Sequence, residues 1–113
     1  MSDNVPAGPG RIVSDYSDVW DEFQKLSTAC HEAGPLDTKT RRLVKLALSI
    51  GAGLEGATHS AVRHAVADGV TANEMEHVAV LAITTLGLPA ATRGLTWIKD
   101  PVTSNSDPGE EVA

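Results

Sequence analysis

Between Gly51 and Gly69 the chain reads GAGLEGATHSAVRHAVADG, and no other stretch gathers so many groups able to do chemistry. It carries Glu55, His59, Arg63 and His64, two of the four histidines among them. A carboxylate and an imidazole four residues apart stand one helical turn from each other, close enough to share a proton. Such a pair suits proton transfer next to a carbonyl, in a lyase or an isomerase. An ordinary i, i+4 ladder, worth only about 0.2–0.5 kcal/mol, accounts for the same spacing.

The wheel also separates the two histidines. Glu55, His59 and Arg63 form one stripe beside Val62 and Val66, whereas His64 falls on the opposite edge near Ser60. A site using both histidines therefore needs groups from other helices or another subunit. The candidate catalytic residues are Glu55, His59 and His64.

The elements that must position them read as helices. Leu54, Ala57, Thr58, Ala61, Val62, Ala65 and Val66 make one broad apolar face on the central helix, and Gly69 after Asp68 reads as its left-handed C-terminal residue. Gly56 inside this segment implies a close neighbour. Upstream, Val19, Trp20, Phe23, Leu26, Ala29 and Cys30 recur at helical spacing from about Tyr16 to Glu32, and Gly34-Pro35 stops that helix. Cys30 closes the stripe as a small core residue, while His31 and Glu32 form a solvated end. Asp37 is the N-cap of a second, nearly all-apolar helix to about Ile50, whose Lys45 snorkels to the surface. Thr71-Ala-Asn-Glu74 is a capping box that turns the ambiguous run HVAVLAITTLG into a buried helix from about 72 to 86. Gly87 ends it, Pro89 opens a last helix with Ala91, Leu95 and Ile98 on one face, and Asp100-Pro101 closes the fold.

This is an all-α, single-domain pattern of about five helices: a flexible arm over 1–12, a helical domain over 13–100 and a disordered acidic tail over 101–113. The 113 residues carry a net charge of −6, and no basic cluster exceeds Arg41–Arg42, which argues against nucleic acid. A single cysteine excludes an intramolecular disulfide, a Cys-x-x-Cys pair and a zinc cage. The N-terminus lacks the basic and apolar regions of a signal peptide, and the longest apolar run, Val78 to Ile83, is too short for a bilayer. The expectation is a cytoplasmic protein with no membrane partner. Glu74-x-x-His77 matches half of a di-iron ligand set, but Glu74 is already used as a cap, so no metal and no cofactor are expected.

The order and spacing of these pieces resemble the carboxymuconolactone decarboxylase and alkylhydroperoxidase D-like superfamily. The carriers are Leu36-Asp37 with Arg41 and Leu43, the helix before Gly69-Val70-Thr71, Glu74, and Gly87 followed by Pro89-Ala90-Ala91, over roughly residues 36 to 98. The resemblance implies a helical bundle of the alkylhydroperoxidase D-like type that assembles as trimers or hexamers, with a small-molecule pocket near a subunit interface. In the peroxidase branch, Cys-x-x-Cys-x-x-x-His would occupy the positions of Leu54, Ala57 and Ala61. Thiol peroxidase chemistry needs an attacking and a resolving thiol, so that activity is not expected. The decarboxylase branch is the better likeness, although it too places a histidine where Ala61 stands, and His64 is the nearer geometric substitute. Three readings remain open: a lyase or isomerase using Glu55 and a histidine, a non-catalytic oligomeric binding or scaffold protein, and a metal- or haem-binding bundle using His59 or His64.

Overall fold

A computed structural model describes residues 10–100, six helices with no strand among the described residues. They are α1 (Gly10–Asp15), α2 (Ser17–His31), α3 (Thr38–Ala52), α4 (Glu55–Ala67), α5 (Ala72–Leu86) and α6 (Leu88–Lys99). The acidic tail and most of the arm expected from the sequence lie outside the described residues. The helix beyond the expected five is α1, which begins inside that arm. Local contacts hold it: Arg11 pairs with Asp15 at 3.0 Å and the Ser14 hydroxyl donates to the Gly10 carbonyl.

Helices α3 to α6 form the bundle. Leu46, Ile50, Ala61, Val62, Ala65, Val70, Met75, Ala79 and Ile98 make one buried cluster, with alanines where helices approach closely. The expected signals set the helix ends. Asp37 accepts from the Thr40 amide at 2.8 Å, and Thr71 and Glu74 exchange both bonds of the capping box. Gly69, at φ +87°, turns the chain out of α4 so that the buried Val70 can donate to the Ala65 carbonyl at 2.9 Å. Asp100 leaves the helix in an extended conformation (φ −63°, ψ 126°), because the following proline disfavours the α region. That stop fixes where the Asp100 carboxylate emerges.

Close approach explains Gly94. A Cβ there would lie 2.8 Å from Ile50 Cγ2, so only glycine lets α6 lie flat on α3. Gly56 has no such reason: a Cβ would meet nothing within 4 Å. It sits in the first turn of α4 rather than its interior, where the helical penalty is small.

Two expectations of burial fail. Cys30 is exposed, not core, since the α2 stripe of Val19, Phe23 and Leu26 faces away from the bundle. Periodicity identifies an apolar face but does not name what covers it. On α4 only Thr58, Ala61, Val62 and Ala65 are buried, and Leu54 and Val66 are exposed, because α3 and α6 cover a narrower sector than the wheel marks. Thr58 is tolerated there because its hydroxyl donates to the Leu54 carbonyl at 2.8 Å. Helix α3 is central, as its nearly all-apolar sequence implies, with Leu46 and Ile50 buried, while Leu48 remains 66% exposed. No helix among the described residues is long and apolar enough to cross a membrane.

Candidate functional site

Glu55 is the first residue of α4, exposed at the mouth of the stripe, and His59 follows one turn later. The His59 side chain is only 12% exposed, closed in by the end of α6. Its Nε2 stands 3.4 Å from Oδ2 of Asp100, close enough for an ion pair when the ring is protonated. The atom is nevertheless sealed from solvent and has no hydrogen-bond partner. One ligand atom each from Glu55, His59 and Asp100 lie within 4.8 Å of one another. Two carboxylates therefore converge on one imidazole, a set able to share a proton or to hold a cation.

His64 goes elsewhere. Its Nδ1 donates to the Ser60 carbonyl at 2.9 Å, with the Ser60 hydroxyl at 3.4 Å. On that side of the bundle His31 meets Lys45, Nε2 to Nζ, at 3.4 Å. His31 is not the solvated group its position in the sequence implies; it and Lys45 are both partly buried where the end of α2 meets α3. Burial first, then the charges of Arg42, Lys45, Arg41 and His64, hold the His31 pKa below its ordinary value of 6.5. Arg42 is itself paired with Asp68 at 2.6 Å. The candidates thus divide between an acidic pair around His59 and a basic patch that includes His64.

The sequence reading missed Asp100, taking it only as a helix stop. Nothing local marks it, because its partner His59 lies on another helix and the contact exists only once α6 packs against α4. A third feature holds none of the candidate residues. Between α3 and α5 runs an open apolar groove of about 680 Å³, lined by Leu43, Val44, Leu48, Val78, Leu81 and Leu86 among others.

The all-helical fold agrees with the match of the chain to a family model described as the carboxymuconolactone decarboxylase family, over residues 15–100. The chain belongs to the carboxymuconolactone decarboxylase family. No curated protein and no solved structure matches it. In this member of the family, Leu54, Ala57 and Ala61 bring no thiol to α4, and Cys30 lies on the far stripe of α2. On the central helix Glu55 and His59 are brought together with Asp100.

Proposed function

We propose that the protein is a decarboxylase-like lyase or isomerase acting on a small carboxylated carbonyl compound, with a carboxylated lactone as the first substrate class to test. The observation that supports this reading is the convergence of Glu55 and Asp100 on His59. Breaking a carbon–carboxylate bond leaves an electron pair that an adjacent carbonyl takes up as an enolate, and the carbon must then receive a proton. Glu55, exposed at the start of α4, is the group a substrate can reach. His59 behind it exchanges the proton with Glu55, with the Asp100 carboxylate 3.4 Å from its Nε2. His64 stands outside this path, in the basic patch with His31 and Lys45.

The reading also includes assembly. Leu48 and Leu81, 66% and 59% exposed, line the groove, and α2 presents a second unpartnered apolar stripe where Trp20 and Phe23 stack at 5.5 Å. So much exposed apolar surface favours a homo-oligomer, a trimer or a hexamer, in which these faces are covered. A cytoplasmic location belongs to the same proposal.

Release of CO2 from carboxylated lactones and keto acids, followed for the parent and for Glu55→Gln, His59→Asn, Asp100→Asn and His64→Asn, tests the chemistry. The first three should lose turnover and the fourth should keep most of it. Equal loss in His64→Asn would move the proton path to the other side of α4. Light scattering tests the assembly: a monomer mass at micromolar concentration would remove it.

A further inference from the structure

We propose that Glu55, His59 and Asp100 form a binding site for one divalent transition-metal cation per protomer, of the Zn²⁺, Co²⁺ or Mn²⁺ class. The three side chains each offer one ligand atom within 4.8 Å of the other two. A cation with ligands at about 2.0–2.2 Å sets those ligands roughly 3–4 Å apart, so the observed spacing closes with about 1 Å of side-chain adjustment. Glu55 can supply it, being exposed at the first position of α4.

A second observation comes from His59 itself. Its Nε2 is shut off from solvent, faces the Asp100 carboxylate at 3.4 Å and makes no hydrogen bond. A buried polar atom without a partner is uncommon in a folded protein and calls for an explanation. A cation between Nε2 and the two carboxylates provides one, since each of the three would then donate a lone pair. The site needs only one oxygen of Asp100, Oδ2, so the other contacts of that carboxylate need not be broken.

The donor set selects the class of ion. One imidazole with two carboxylates suits borderline divalent cations, whereas Ca²⁺ and Mg²⁺ favour oxygen alone and Cu⁺ favours sulfur. Two negative ligands balance the double charge. Three protein ligands leave coordination positions open, as catalytic sites do and closed structural sites do not.

This proposal rests on the same three side chains as the proposed function, but not on turnover. The lone pair of Nε2 serves either a proton or a cation, so an occupied site withdraws His59 from proton transfer. Cation binding is therefore measured without substrate, and turnover is measured in the presence of chelator.

The test is titration of the full, metal-stripped protein with Co²⁺, followed by visible absorption, and with Zn²⁺, followed by calorimetry. The expected result is one ion per protomer with micromolar or tighter affinity. His59→Gln and Asp100→Asn should weaken it at least tenfold while circular dichroism and melting stay near the parent's. Glu55→Gln, at an exposed position, should weaken it without touching the fold. His64→Asn and His77→Asn should bind like the parent. No binding below millimolar Co²⁺ or Zn²⁺ would overturn the site, as would binding that survives both His59→Gln and Asp100→Asn. Turnover in chelator with no cation binding would leave the catalytic reading standing alone, and binding without turnover would leave the cation site alone.

Discussion

Replacing Gly94 by alanine should destabilise the fold, although alanine is the better helix former by about 1 kcal/mol. The new Cβ would lie 2.8 Å from Cγ2, 3.1 Å from Cδ1 and 3.3 Å from Cγ1 of Ile50. Ile50 is 1% exposed in the main core cluster, and a β-branched side chain in a helix has essentially one χ1 state, so it cannot swing aside. Overpacking of this kind costs about 1–3 kcal/mol. Set against the propensity gain, the net loss should be about 0–2 kcal/mol, and each kcal/mol lowers the melting temperature by about 4–8 °C in a domain of this size. The assay is thermal and urea unfolding at fixed protomer concentration, which an oligomer requires. A double-mutant cycle isolates the cause: in an Ile50→Ala background, Gly94→Ala should be neutral or stabilising by up to about 1 kcal/mol. Because α6 also carries Asp100, any shift of the helix should loosen the His59 contact and impair the site along with stability. A Gly94→Ala change that costs no more in the parent than in the Ile50→Ala background would show that the approach of α6 to α3 is not held to the distance described.

Thr71→Ala removes the acceptor for the Glu74 amide and should cost about 1 kcal/mol in urea unfolding; no change would mean the box is ornamental. Stability should also fall on the acid side in two stages. His31, held below 6.5, is favoured neutral in the fold, so its contribution is complete above 6.5 and is lost as pH falls through its lowered pKa; His31→Gln should flatten that limb of a melting-temperature profile. Asp37, through its bonds from Thr40, and Glu74, through the Thr71 amide, titrate below their ordinary 3.8 and 4.5, so their contributions hold above those values and vanish only as pH falls further; a profile that stays flat there would refute both caps as charge acceptors. Cys30→Ser should leave the mass in solution unchanged and stability within about 0.5 kcal/mol of the parent, because the thiol is exposed; peroxide reduction abolished by this substitution would contradict it.

The sequence made the helices legible because their ends carry chemistry that acts locally. Asp37, the Thr71–Glu74 box, Gly69 and Pro89 each act within a few residues of themselves, and each does what its type implies. The outward face of α2 was not legible, since the same stripe of Val19, Phe23 and Leu26 is compatible with a bundle neighbour or with another surface. Half of the site could be read and half could not. Glu55 and His59 share a helix, so their spacing shows in the chain, while Asp100 joins them only through the packing of α6 on α4. The same holds for His31 and Lys45, which sit on different helices and meet only after α2 docks on α3.

The central claim is that Glu55 and His59 move a proton for a decarboxylation, and CO2 release from a carboxylated lactone by parent and Glu55→Gln protein of equal melting temperature tests it most directly. The parent should release CO2 above the uncatalysed rate, and the variant should fall by about 10²–10⁴-fold, the usual contribution of a positioned acid or base. A variant that turns over at the parental rate would contradict the claim.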